Sequence, residues 1–474
     1  MTTKPSHYIA GRWVAPLQPR AFPVENPATE ETIALIELGG AHDVDRAVAA
    51  AREAFDAWRM TDVETRAALL ERIRDIYLRR REEFARAMTL EMGVPITLSR
   101  EAQAPCGDGH LDATIEALRA HEFERPSPRG GSILRDEPVG VCGLIAPWNW
   151  PINQVVVKVA PALAAGCTCV LKPAELAPLS AILLAEVIDE AGCPPGVFNM
   201  VQGDGPTVGA ALAGHPGIDM VSFTGSTQAG AAVAAAAAPN VTRVALELGG
   251  KSPNLLFADA DLDAAVPFSV DRCISNSGQD CDAASRLLVQ REVYDEVVER
   301  AAAYADAVKI GDPMEEGDHL GPVVSRAQWD RIQEMIAAGT ADGARLVAGG
   351  TGLPEGLNRG YYVRPTVFAD VSNDMRIARD EVFGPVLAII PFDGEDEAVR
   401  IAEDTPYGLA AFVQTADRER AHRVARRLRA GTVGINGAAY DYDVPFGGFK
   451  RSGYGRENGA HGLNDYLDVK SITG

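Results

Sequence analysis

Val139-Gly140-Val141-Cys142-Gly143-Leu144-Ile145 and, further on, Thr168-Cys169-Val170-Leu171-Lys172 are short, apolar, β-branched runs. They read as buried strands. Working outward from them, residues 178–191 predict a helix, 197–201 a strand, 205–212 a helix and 220–223 a strand. An alanine-rich helix over 226–238 and a strand over 241–247 follow. Strands alternating with helices make βαβ units, hence a parallel sheet with right-handed crossovers. A second series runs from about Ser252 to Gly434. It has helices near 261–275, 293–308, 327–338, 395–403 and 418–428, and strands near 254–258, 386–391, 411–414 and 432–435. The chain therefore reads as α/β, with two parallel-sheet lobes joined near Gly249-Gly250.

Upstream, Gly11-Arg12-Trp13 opens a small hairpin, and residues 43–59 have helical spacing, with Val44, Ala47, Val48, Ala51, Phe55 and Trp58 on one face. Thr61-Asp62-Val63-Glu64 predicts a capping box, followed by a long helix to Met92 that stops at Gly93. Another helical pattern covers 99–119. Residues 125–137, rich in Pro, Gly, Arg and Ser, flank a short strand over 132–135 and leave the main body. The stretch 446–453 is glycine-rich and loop-like.

Composition narrows the function classes. A chain of 474 residues has room for two or three domains. Its 45 basic against 66 acidic residues, a net charge of −21, argue against nucleic acid or an anionic membrane as partner. No apolar run is long enough to cross a bilayer, and Met1 to His7 has no apolar stretch behind it. The seven cysteines are scattered and without Cys-x-x-Cys, which fits a reducing, cytoplasmic setting. The eight histidines stand apart from one another, so no metal site is expected.

The chemistry centres on Asn276-Ser277-Gly278-Gln279-Asp280-Cys281. A lone cysteine is more often a small buried hydrophobe, but Gly, Gln, Asp and Asn pack poorly in a core. They place Cys281 on a turn before or at a helix end, where a base can raise its thiolate fraction. Glu247, beside two glycines at a strand end, can act as a general base if its cleft is dry. Asn149, in Pro147-Trp148-Asn149, can donate to an oxyanion or simply close an Asx turn. Phe223-Thr224-Gly225-Ser226 joins strand to helix. It reads equally as a phosphate site or as an unliganded helix start. Lys172-Pro173-Ala174-Glu175 follows a strand, where it can hold a ribose or form a surface ion pair.

These stretches, with Glu247-Leu248-Gly249-Gly250-Lys251, Glu381-Val382-Phe383-Gly384-Pro385 and Pro445-Phe446-Gly447-Gly448-Phe449-Lys450, stand in the order that resembles the NAD(P)-dependent aldehyde dehydrogenase superfamily. The resemblance runs from about Gly11 to the end. It implies a Rossmann-like NAD(P)-binding domain (1–120 and 139–248), a catalytic domain (249–446), and an oligomerisation arm and tail (121–138 and 447–474). By the resemblance Cys281 is the nucleophile, Asn149 and the Cys281 N–H form the oxyanion hole, and Glu247 activates the hydrolytic water. Lys172 and Glu175 would hold the adenosine ribose, Ser226 the pyrophosphate, and Glu381 and Phe383 the nicotinamide ribose and ring. Ile145, Pro147, Trp148, Gly209, Phe223, Gly225 and Leu248 complete the expected cofactor site. NAD is expected over NADP, because Glu175 would repel a 2′-phosphate. The resemblance also implies a homodimer or homotetramer.

Departures from the family pattern fall on the substrate side. Asp280 and Asp282 flank the cysteine. Gln154 and Val157 follow Asn149, and Tyr440-Asp441-Tyr442-Asp443 occupies the entrance loop. Together they suggest an acidic approach suited to a cationic aldehyde; solvent-pointing side chains are the equal alternative. The rival readings are a CoA-acylating dehydrogenase, which needs no hydrolytic base, and a non-catalytic member of the fold.

Overall fold

The computed structural model describes residues 7–474; the reading of Met1 to Ser6 as lacking a signal peptide lies outside them. Two sheets organise the chain. The eight-stranded sheet runs Gly453–Tyr454, Arg243–Leu248, Met220–Gly225, Val141–Ile145, Thr168–Lys172, Phe198–Met200, His7–Ile9, Arg12–Val14. Its five central strands are parallel, as expected. Their side chains explain the unbroken apolar runs. Cys142 and Leu144 enter one core, Val141 and Ile145 the core on the opposite face. With helices over both faces, every position of such a strand is buried.

The seven-stranded sheet runs Arg345–Ala348, Thr366–Ala369, Val386–Phe392, Arg286–Gln290, Pro253–Leu256, Ala410–Gln414, Thr432–Ile435, parallel except for its first pair. The same logic holds: Leu288 packs into one core while Leu287 and Val289 pack into the other. The sequence reading omits the central strand Arg286–Gln290 and the edge pair Arg345–Ala348 and Thr366–Ala369. It also omits the hairpin Arg20–Asn26 with Glu31–Leu38.

The expected N-terminal hairpin forms, and it also extends the larger sheet through Tyr8 opposite Met200. The 30-residue helix Val63–Met92 ends at Gly93, whose φ of 81° suits glycine. Its cap differs from the expectation. Asp62, not Thr61, accepts from the Thr65 N–H at 2.7 Å, while the Thr61 hydroxyl donates to the Trp58 carbonyl. A carboxylate at this position also meets the positive end of the helix dipole, which favours Asp62 for the cap. The C-terminal stretch divides. Gly453–Tyr454 joins the larger sheet, whereas Leu467–Thr473 pairs antiparallel with Ser132–Pro138, which pairs in turn with Glu124–Pro126. Among the described residues no helix is long and apolar enough to cross a membrane, and no cluster of ligating side chains could hold a metal ion.

Candidate active site

In the larger sheet the chain steps outward one way from Val141–Ile145 to Thr168–Lys172 and Phe198–Met200, and the other way to Met220–Gly225 and Arg243–Leu248. The order reverses between the strands ending at Ile145 and Gly225. Ligands of open parallel sheets bind in the crevice at such a switch point, outside the carboxyl ends of the strands. Pro147-Trp148-Asn149 and Phe223-Thr224-Gly225-Ser226 both lie there. Ser226 caps the helix Thr227–Ala237, its hydroxyl accepting from the Ala229 N–H at 3.2 Å, so a helix N-terminus faces the crevice.

Lys172 ends the next strand, buried. Its Nζ donates to the carbonyls of Pro173 and Gly203, both at 2.7 Å, and to Glu175 at 3.3 Å. Burial lowers its pKa, and Glu175 opposes that. Gly209 is placed so that a Cβ would lie 3.7 Å from the Lys172 stem. The Leu248 side chain packs on Gly230 of the Ser226-capped helix.

The second lobe supplies the thiol. The helix Leu262–Ile274 ends and the chain turns tightly through Asn276, Ser277 and Gly278, at φ of 53°, 56° and 71°. Cys281 follows, half-buried, and the other six cysteines are buried. The turn is fixed on all sides. Asn149 Nδ2 donates to the Gln279 carbonyl at 3.1 Å, and the Asn149 carbonyl accepts from Asn276 Nδ2 at 2.9 Å and from Gln103 Nε2 at 3.4 Å. Ser277 donates to the Gly321 carbonyl at 2.7 Å, and the Val324 N–H donates to Gln279 Oε1 at 2.8 Å. An amide nitrogen has two protons, so Asn149 keeps one donor beyond its bond to Gln279.

The motif glycines bring the remaining segments together. A Cβ on Gly278 would sit 2.1 Å from the Gly384 carbonyl carbon, and one on Gly250 would sit 2.6 Å from the Cys281 carbonyl oxygen. A Cβ on Gly249 would lie 2.1 Å from Glu381 Oε2, and the Gly250 N–H donates to Glu381 Oε1 at 3.3 Å. Burial raises the Glu381 pKa to about 7. Phe383 meets Trp148 edge to face at 5.4 Å, closing the crevice between the lobes.

Glu247 is 4% exposed and neither carboxyl oxygen has a hydrogen-bond partner. Burial, and then the nearby Glu457, push its pKa well above the ordinary carboxylate range; Lys158 and Arg456 pull the other way. A Cβ on Gly447 would lie 2.7 Å from Glu247 Oε1, so the glycine-rich tail segment makes the room this carboxyl occupies. Glu247 lines a cavity with Val157, Ser222, Arg456, Glu457 and Tyr466. Within this group Lys158, fully buried, donates to Ser222 at 3.1 Å and pairs with Glu457 at 2.5 Å. Sequence reading missed Lys158, Arg456 and Glu457. Lys158 had a signal: it is the one charge in the apolar helix Pro151–Ala165.

The candidate substrate residues spread out. Gln154 is buried, with Oε1 unpartnered, and Val157 is buried beside Glu247. Tyr440 is half-exposed; its hydroxyl accepts from Asn458 Nδ2 at 2.8 Å and its ring meets Tyr442. Asp441 and Asp443 face solvent. Asp282 and Asp280 instead face Arg272, at 2.7 and 3.7 Å.

The sequence profile of the aldehyde dehydrogenase family matches residues 13–472. The chain belongs to this family. It is 51% identical over 468 residues to the 3-succinoylsemialdehyde-pyridine dehydrogenase of a Pseudomonas species, with 98% of each chain covered. Among solved structures it is similar to the aldehyde dehydrogenase of Bartonella henselae, at 47% identity, a TM-score of 0.98 and full coverage of both chains. Aldehyde dehydrogenase C of Pseudomonas syringae, a cysteine-to-alanine mutant solved with NAD+ and octanal, shares 52% identity at a TM-score of 0.97. That likeness covers 99% of this chain and 96% of the other.

Proposed function

We propose that this chain oxidises an aldehyde to the carboxylic acid with NAD. In this reading Cys281 is the nucleophile, Asn149 Nδ2 and the Cys281 N–H are the oxyanion donors, and Glu247 is the base. The observation that carries it is the convergence at one half-exposed thiol. Asn149 is bonded to the turn before Cys281, Gly250 lies against its carbonyl, and the Glu381–Pro385 segment is packed on Gly278. The switch-point crevice fits a dinucleotide. It offers a helix N-terminus at Ser226 for the pyrophosphate, Lys172 and Glu175 for the adenosine ribose, and Glu381 and Phe383 for the nicotinamide ribose and ring. When bound, NAD supplies the hydride acceptor.

The chain's own groups do the rest. Thiolate attack on the carbonyl carbon makes a thiohemiacetal on Cys281, whose oxygen the two donors stabilise. After oxidation a thioester remains on Cys281. Glu247 takes a proton from water, and the resulting hydroxide attacks the acyl carbon and breaks its C–S bond, giving the carboxylate and the Cys281 thiol. A carboxyl with a raised pKa suits that task, because its base form holds a proton strongly once it has one. A CoA-acylating enzyme would have no use for such a group.

With Asp280 and Asp282 facing Arg272, the reading extends to a neutral aldehyde, as octanal is in the Pseudomonas syringae complex. The two sheets support the NAD(P)-binding and catalytic domains as read from the sequence. The three-stranded sheet, with Ile133, Val469 and Ile472 exposed, supports an arm that joins copies into a dimer or tetramer. Seven free cysteines support a cytoplasmic setting. The test is a panel of neutral, cationic and anionic aldehydes scored by NADH formation, alongside Cys281→Ala. That variant should bind NAD and form no NADH. Turnover in it would refute the assignment of the nucleophile.

A further inference from the structure

Four carboxyl groups bear on the charge of Cys281. Asp280 and Asp282 flank it in sequence, Glu381 comes from the loop packed on Gly249, and Glu247 from the strand end. Burial opposes thiolate formation most, and each of these carboxyls opposes it further. Arg272, nine residues earlier on the last turn of Leu262–Ile274, is a cation that bears on the thiol. Its guanidinium, 26% exposed, lies over the Phe412 ring at 5.0 Å, so its plane is held. Nη2 donates to Asp282 Oδ2 at 2.7 Å, and Nη1 lies 3.7 Å from Asp280 Oδ2. Burial, and then the neighbouring Asp282, raise the Asp280 pKa to about 8, while Arg272 pulls it down. Two carboxyls beside the thiol thus share one guanidinium.

Resting on the reading of Cys281 as nucleophile, we infer that Arg272 is a positioning residue for it: by binding Asp282 and Asp280 on either side of the thiol, it keeps the thiolate from facing uncompensated negative charge. Without the guanidinium the two carboxyls beside the sulfur lose the cation they face, and the thiolate fraction at pH 7 falls.

The measurement is the pH dependence of alkylation of Cys281 by iodoacetamide in the full-length protein, with the labelled cysteine identified by mass. Arg272→Gln should move the midpoint up by about one unit or more, slowing alkylation at pH 7 about tenfold. The pH profile of kcat/KM should move with it. Arg272→Lys should restore most of the shift. If Arg272→Gln does not fold, Asp282→Asn is compared with Arg272→Gln/Asp282→Asn, where no carboxylate is stranded by the loss of its partner at position 282. The double variant should again have the higher midpoint. Equal midpoints in either comparison, or a shift that lysine does not reverse, would overturn the role of Arg272. Full turnover after complete labelling of Cys281 would instead overturn the nucleophile itself.

Discussion

Glu175 shows how much one side chain decides. Its carboxylate is 3.3 Å from Lys172 Nζ, at the strand end where a dinucleotide ribose would lie. A carboxylate accepts from a 2′-hydroxyl and repels a 2′-phosphate. Glu175→Gln should therefore raise kcat/KM for NADP relative to NAD by about tenfold or more, since about 1.4 kcal/mol is a factor of ten. Equal ratios in wild type and variant would remove Glu175 from cofactor choice. At this scale the sequence is legible where function needs a residue type in a local pattern, as in Gly-Gln-Asp-Cys on a turn at a helix end. It is not legible where partners are distant in the chain. Lys158 meets Glu457 from the other end of the sequence, and Arg272 sits a helical turn and a loop away from the aspartates it binds. Neither spacing marks a contact in advance.

Among the elements, the turn before Cys281 is strained. Asn276 and Ser277 hold positive φ, and Gly278 continues the run against Gly384. A left-handed conformation costs a non-glycine residue about 1–2 kcal/mol. In Gly278→Ala the new Cβ must also displace backbone atoms 2.1 Å away. The variant should lose about 3 kcal/mol or more of stability, read by denaturant unfolding. Its kcat should fall about a hundredfold, because an ångström of misplacement at the nucleophile costs that much. Wild-type kcat would show that the turn does not position Cys281.

Helix Leu179–Glu190 gives a pH prediction. Buried Glu91 accepts from the Leu179 and Ser180 N–H groups at its start, and burial raises the Glu91 pKa to about 7. A carboxyl raised above its unfolded value of about 4.5 stabilises the fold fully below that value, and the contribution is lost as pH rises toward 7. Glu91→Gln should flatten the decline in Tm between about pH 4.5 and 7. An unchanged slope would assign the decline elsewhere. Element-level reading succeeded for the apolar parallel strands of the larger sheet and for long periodic helices. It failed at Arg286–Gln290, a central strand bounded by polar residues. Arg286 is fully buried there, its guanidinium donating to the Lys251, Ile401 and Ala402 carbonyls and to Asn373. A charge at the mouth of a run reads as a surface residue unless those acceptors are known.

At the scale of the whole molecule, two lobes with separate sheets supply the two proposed groups, the Glu247 carboxyl from one and the Cys281 thiol from the other. Glu247 ends a strand of the larger sheet; Cys281 leads into a strand of the smaller one. Two α/β series were visible in the sequence, because each repeats strand and helix in order. The crevice was not, since it depends on how Gly249, Gly250, Gly278 and Gly447 let segments from both lobes approach. The central claim is that this arrangement separates acylation of Cys281 from its release by Glu247-activated water. Rapid mixing of Glu247→Gln with NAD and a neutral aldehyde tests it, followed by intact mass of the protein. The account predicts one NADH per active site, a steady rate lower by about a hundredfold to ten-thousandfold, and a mass gain on Cys281 equal to the acyl group. Steady turnover at the wild-type rate, or a burst with no acyl group on Cys281, would contradict it.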